Sequence, residues 1–405
     1  MEATSADAPK IIVLSRNYST GLGLIRSLGE AGYKVDLVAS ARRRNSSRIA
    51  SSSRYVADSR EFLKDVIYED KGEDICSYLV SAKDTYPEGT VLFPADDYTT
   101  SVLDRNRDSL KDHYLMPKTG TDREGDILKL MSKDVQGKIA LESGLLRPWE
   151  TAVDLNDWAI PEDTPYPCFV KPLKSIDGEK QEMAVCGSRD ELKDTLERMK
   201  HSFSLRKVMV QEFLNIDKEY DVGGVCLGDR VIIPAVIEKT RIAEHERGVT
   251  MTGRMVPEDV LGDTLPKLLD MLKKIDYYGM FDLEFNRCGD RLYFNEINLR
   301  SGGPHFSYFL NGVNLPEIFA KGISGEDISG LNTVIDPYGK SFVYEKVAWE
   351  DHINGFMSKK ELDEVIGNAD FTLLANDSDP EPGKIFAKKI RLSLLKHRAI
   401  GAIKR

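Results

Sequence analysis

The chain opens on a short apolar run, Lys10-Ile-Ile-Val-Leu-Ser15, and passes through Ser19, Thr20 and Gly21 into the helical spacing Leu22, Leu24, Ile25 and Leu28. Gly32 then precedes a second apolar run, Val35-Asp-Leu-Val38. Short apolar runs bounded by turn residues read as buried strands, so this segment predicts β-α-β and the start of an open parallel sheet. A further strand is expected at 90–94, with Asp96 and Asp97 at its end. The mixed-charge, glycine-containing stretch 117–126 marks a boundary, and a helical stretch follows over about 125–143, stopped by Gly144 and Pro148.

Beyond that point the pattern turns to strands. Runs at 168–171, 207–213, 220–227 and 230–237 surround one helix near 189–201, and Gly228-Asp229 is a two-residue hairpin signal. A charged loop is expected over 240–257, then a helix at about 258–275. Met280, Phe281, Leu283 and Phe285 mark one strand of a hairpin and Leu292, Tyr293, Phe294 and Ile297 the other, with Cys288, Gly289 and Asp290 at the turn. After Gly330 the chain reads as a smaller appended unit with a strand at 341–347 and a helix at 358–366. The expected organisation is an α/β domain with an open parallel sheet over 1–120, an α+β unit of antiparallel sheets over 121–330, and the appended unit over 331–405.

A length of 405 residues, 41% hydrophobic and 30% charged, allows two or three packed cores. The formal charge of −10 argues against general nucleic-acid binding, which normally shows a basic face. No apolar run approaches the roughly 18 residues of a membrane span, and the opening MEATSADAPK lacks a signal pattern. A cytoplasmic enzyme is expected, without nucleic-acid or membrane partners. The five cysteines are scattered and form no C-x-x-C pair, so reduced thiols are expected; the six histidines lack metal-ligand spacing. Gly21-Leu-Gly23 suggests a dinucleotide turn, but Arg26 stands at the third glycine position and no acid closes the second strand.

The chemistry-bearing positions cluster late in the chain. In the hairpin, Glu284 and Glu296 fall near one another, and Asn298 shares the face of Glu296 because strand side chains repeat every two residues. Two carboxylates and a carboxamide oxygen suit Mg²⁺, which shares its shell with substrate phosphates. Arg300 would stand beside them, where a guanidinium neutralises charge on a phosphoryl group or tetrahedral intermediate. Ser301, Gly302 and Gly303 follow, the glycines letting backbone approach a ligand. Lys171 ends a strand beside a polar loop containing Gly178, well placed for phosphates, and Lys133 starts the helical stretch. After Gln211 and Glu212, Phe213 and Leu214 could wall an adenine, with Glu219 on the ribose. Lys239 and Arg241 begin a charged loop that reads as a lid.

Taken in order, these segments resemble the ATP-grasp superfamily of carboxylate–amine ligases over roughly residues 10–320. FDLEF with YFNEINLR carries the most specific part, PCFVKP and MSKD resemble the two phosphate lysines, and VMVQEFL with KEYDV resembles the adenine hinge and ribose acid. The resemblance implies an ATP-grasp fold with a lid subdomain near 150–215. It assigns Glu284, Glu296 and Asn298 to Mg²⁺, with Mn²⁺ as an alternative, and Lys133, Lys171, Gly178, Gln211, Glu212, Phe213, Leu214 and Glu219 to ATP. Arg300, Lys239 and Arg241 are implied in catalysis and Ser301, Gly302 and Gly303 in substrate binding. The E-I-N-x-R form looks most like the D-aspartate ligase and carbamoyl-phosphate-synthase-like group. The implied activity joins a small carboxylate to an amino acid or peptide amine through an acylphosphate, in a monomer or a homodimer. An ATP-binding scaffold without turnover is the second reading, motivated by the single glycine, Gly178, in the phosphate loop.

Overall fold

A computed structural model describes residues 9–16, 18–63, 72–157, 159–173, 183–201, 207–246 and 248–403, the last eight for their backbone only. The first strands, β1 (Ile11–Ser15), β2 (Val35–Ala41), β3 (Val56–Leu63), β4 (Thr90–Pro94) and β5 (Tyr114–Leu115), form a parallel sheet in the order β3-β2-β1-β4-β5. Every residue of β1, β2 and β4 is buried, which is why they read as continuous apolar runs: helices cover both faces of the sheet. The order changes direction between β1 and β4, and Asp96 and Asp97 follow β4 at that crevice.

Next come the short β6 (Lys118–Thr119) and an antiparallel sheet of β7 (Glu150–Asp154), β8 (Cys168–Pro172), β9 (Ala184–Cys186) and β10 (Lys207–Glu212), ordered β7-β10-β8-β9. The largest sheet holds β11 (Lys218–Leu227), β12 (Arg230–Ile232), β13 (Val236–Ile242), β14 (Thr250–Val256), β15 (Tyr277–Cys288), β16 (Arg291–Asn298), β17 (Ser341–Val343) and β18 (Phe371–Thr372). Its order is β16-β15-β11-β13-β14-β17-β18, with β12 paired to β11 and β6 to β15. Gly228, at φ +66°, supplies the left-handed turn of the two-residue β11–β12 loop.

Several expectations change, among them the strand expected at 341–347, which is β17 only as far as Val343 before the helix Glu345–Ile353 begins. The helical stretch at 125–143 is two helices, Asp126–Leu130 and Lys133–Glu142, divided where Ser132 takes an extended conformation and bonds to Asp134. The strand expected at 230–237 breaks into β12 and β13 because Pro234, between them, has no N–H to continue a ladder. The charged loop of 240–257 is largely the β13–β14 hairpin, whose pairing runs out to Ile242 and Thr250.

Residues 331–405, expected as an appended unit, instead complete the large sheet. β17 pairs with β14, and Phe342, Leu362 and Phe386 share one core with Ile11, Leu37 and Phe93 of the parallel sheet. Arg26 explains its own oddity here. Fully buried in the helix Tyr18–Glu30, it donates from Nε to Asp379 at 3.0 Å and to the carbonyls of Leu373, Leu374 and Asp379 at 3.3, 3.0 and 2.9 Å. The backbone N–H of Arg54 donates to the other carboxylate oxygen of Asp379 at 2.9 Å. These bonds tie the late segment to the first domain.

Candidate active site

In the β15–β16 ladder Glu284 stands opposite Glu296 and Asp282 opposite Asn298. One residue further the register slips: Phe285 faces Phe294, so Asn295 is the extra residue of a bulge. A bulge re-aims side chains that simple alternation would send away. Asn295 accepts from Lys171 Nζ at 3.1 Å and donates to Glu284 Oε2 at 3.1 Å, linking β8 to the acidic pair.

These strands form one wall of a cavity of about 380 Å³. Its lining includes Asp96 and Asp97 from the crevice of the parallel sheet, Lys133, Asp221, Lys239, Asp282, Glu284, Glu296, Asn298, Arg300 and Gly303. The cations are held by the acids. Lys239 Nζ lies 2.9 Å from Asp221, 3.3 Å from Glu219 and 3.8 Å from Glu284, and Lys133 contacts Glu296. Arg300 donates from Nε to Asp97 at 2.7 Å and from Nη1 to the carbonyl of Ser301 at 3.0 Å, and stands 3.9 Å from Asp282.

The electrostatics follow from that packing. Burial draws Lys239 down, but Asp221, Glu284 and Glu219 outweigh it and hold the ammonium well above its usual range. Burial, opposed by Lys239 and reinforced by Asp282 and Glu284, pushes the Asp221 carboxyl up. Glu284 is raised by burial, against Lys239 and with Glu296. Lys171 behaves oppositely: burial and then neighbouring Lys133 lower it to about 8. Buried His305 takes a backbone bond from Gly302 on Nδ1 at 3.0 Å, so its Nε2 donates to Asp282 at 3.1 Å. Any side chain at 302 would collide with that carboxylate, since a Cβ there would lie 2.6 Å from Asp282.

The remaining expected positions divide. Glu219 touches the site through Lys239, and Lys171 through Asn295. Gln211, Glu212, Phe213 and Leu214 stand at the end of β10 and just beyond it, off the cavity wall: Gln211 donates to Glu150 at 2.8 Å, Glu212 accepts from Trp149 N–H at 3.3 Å, and Phe213 is exposed. Gly303 lines the cavity, whereas Ser301 and Gly302 line a smaller hollow beside it, with Thr20 and Phe306. Arg241 does not line it; irregular pairing at 239–242 takes it off that face, and it sits in the field of Glu361 on the helix Lys359–Gly367. Lys239 is a buried strand residue rather than a lid cation. Gly178 and its loop lie outside the described residues.

Sequence reasoning put Asp97 at a strand end without a role, and missed Asp221, Asp282, Asn295, His305 and the Arg147–Glu150 pair. Arg147 binds Glu150 at 2.5 Å and donates to the carbonyls of Phe294 and Asn295 at 2.9 and 2.5 Å, clamping β7 to the bulge. Period-two counting from Glu284 already points to Asp282; the bulge leaves no such signal. Among the described residues no three His, Cys, Asp or Glu side chains form a ready metal cage. The oxygen set Glu284, Glu296 and Asn298 fits a hard cation that takes one or two carboxylates and completes its shell with water and phosphate.

No family model matches the chain. In sequence it is similar to the carbamoyl phosphate synthase large chain of Lachnoclostridium phytofermentans, 25% identical over 174 residues, 41% of this chain and 16% of that protein. It is also similar to that of Gemmatimonas aurantiaca, 24% identical over 241 residues, 56% of this chain and 21% of that one. The match thus spans about a sixth to a fifth of these relatives' length. In structure it resembles an L-amino acid ligase from Bacillus licheniformis, with a TM-score of 0.59 and 13% identity, covering 80% of this chain and 77% of that one. A biotin carboxylase–β,γ-ATP complex from Campylobacter jejuni gives 0.60 at 15% identity, covering 82% and 74%. N5-carboxyaminoimidazole synthetase from Staphylococcus aureus gives 0.57 at 15%, covering 81% and 79%. The fold is the ATP-grasp fold. The chain shares that fold with these solved proteins.

Proposed function

We propose that the protein is an ATP-dependent carboxylate–amine ligase that forms an amide bond through an acylphosphate and releases ADP and phosphate. One observation carries this reading: two facing carboxylates, Glu284 and Glu296, share a cavity with Lys133, Lys239 and Arg300, and Lys171 adjoins it through Asn295. Such a site neutralises and positions phosphates, and phosphoryl transfer needs little else. Solved structural relatives are complexes with ATP or with MgADP.

In this mechanism Glu284, Glu296 and Asn298 would hold magnesium, which would supply neutralisation of charge on the phosphoryl oxygens. Lys133, from beside Glu296, and Lys171, bonded to Asn295, bring their ammonium groups to the phosphates from two sides. The substrate carboxylate attacks the γ-phosphorus and ADP leaves. Arg300, oriented by Asp97, then faces the acyl group as the amine attacks its carbon, the C–O bond to phosphate breaks, and the departing phosphate takes up the proton that the amine loses. Phe213, exposed beside Leu214, offers an apolar wall to the base.

The test is a phosphate-release screen over paired carboxylates and amines, with mass detection of the condensed product. ATP binding with no pair giving release supports a non-catalytic scaffold instead. Lys171 gives a pH signature. It is charged in the free protein below about 8 and neutral above, so phosphate binding above that pH requires uptake of a proton. The dissociation constant for ATP is expected to rise by up to about tenfold per pH unit above that point, and Lys171→Met to remove that dependence. Isothermal titration across the range reads both. Asn295→Ala, which removes the bulge's two bonds, is expected to lower kcat/KM for ATP by about 10- to 100-fold, the usual cost of losing a group that orients a ligand-binding residue.

A further inference from the structure

A second cavity lies away from this chemistry. It is a groove of about 610 Å³ along the helix Pro380–Ile403, lined by Arg48, Lys384, Lys388, Lys389 and Leu392 among others. From Lys384 onward the sequence holds eight lysines and arginines and no acid, in a chain whose formal charge is −10. The helix docks by a narrow seam: Phe386 and Ile390 are buried and Leu394 partly so. Its opposite face carries Lys384, Lys388 and Arg391 in the open, with Leu392 53% and Leu395 60% exposed. Leu392 follows Lys388 by four residues and Leu395 follows Arg391 by four, so each leucine shares the outer face with a cation. The exposed Arg42, Arg43 and Arg44 lead into the short helix Arg48–Ser51, which packs against the same helix.

We propose that this face is a docking surface for an anionic lipid bilayer, the helix lying in the plane of the headgroups with Leu392 and Leu395 inserted between them. Cations alone would suit any polyanion. The leucines decide: they offer nothing to a nucleic-acid backbone, whereas a surface-lying helix uses apolar insertion together with lysines and arginines on acidic headgroups. Among the described residues no helix is long and apolar enough to cross a membrane, which leaves a surface-lying helix untouched.

The experiment is co-sedimentation of the full chain with vesicles of phosphatidylcholine alone and of phosphatidylcholine mixed with phosphatidylglycerol, at low and high salt. Partition onto the mixed vesicles is expected to exceed that onto neutral ones by at least about tenfold and to fall at high salt. Leu392→Glu with Leu395→Glu should lower it by about tenfold, as should Lys384→Gln with Lys388→Gln and Arg391→Gln, with thermal melting unchanged in both sets. Equal binding to neutral vesicles, or undiminished binding by the leucine variant, overturns the proposal. So does tighter binding to duplex DNA than to vesicles, or a concentration-dependent dimer that the leucine variant breaks. Turnover is not the readout, so failure here leaves the ligase reading intact, and failure of the ligase screen leaves this surface intact.

Discussion

Glu296→Ala is expected to lower substrate-dependent phosphate release by about a thousandfold while the chain still folds. The side chain is one of two facing carboxylates on the cavity wall and is only 19% exposed. Its loss leaves Glu284 alone to hold a divalent ion and removes the partner that positions Lys133. Glu296→Gln separates charge from shape, because it keeps the volume and removes the negative oxygen. It should be nearly as inactive as the alanine variant in the same assay. Turnover at the wild-type rate in either variant would remove Glu296 from the chemistry.

The largest stability effect is expected at Asp379. Asp379→Ala leaves the Arg26 guanidinium buried without its carboxylate and strips the acceptor from the Arg54 backbone N–H. Breaking a buried pair on one side costs about 3–5 kcal/mol, because the remaining charge is uncompensated. Urea unfolding should therefore show a clearly lower midpoint at unchanged slope. Arg26→Leu combined with Asp379→Leu should lose less than Asp379→Ala, since no charge is then stranded. A double variant as unstable as the single one would show that the backbone bonds of Arg26 to Leu373 and Leu374, not the ion pair, hold the segment.

Much of this molecule can be read from its sequence where burial is one-sided or complete. The parallel strands stand out because helices cover both faces, and the hairpin signal brings Glu284 and Glu296 close, although an unbroken register would set Glu284 against Asn295 and only the bulge makes the two acids face directly. Asn295 is hidden because it is itself the extra residue that breaks that register, directly beside Glu296. The β13–β14 hairpin is hidden for a different reason. Glu238 and Lys239 are buried charges paired with Lys218 and Glu219 of the neighbouring strand, so a strand of the core reads as a solvated loop. β17 and β18, three and two residues long, are too short to show alternation, and the Arg26–Asp379 pair that docks the segment joins residues distant in sequence.

In the proposed reaction Glu284 and Glu296 grip divalent ions against a triphosphate in this cavity. The most direct measurement is a crystal structure grown with Mn²⁺ and a non-hydrolysable ATP analogue, with the metal located by anomalous scattering. Manganese is expected on both carboxylates and on phosphate oxygens, with Lys171 and Lys133 on the triphosphate. Manganese elsewhere, or a triphosphate that does not reach these two side chains, would contradict it.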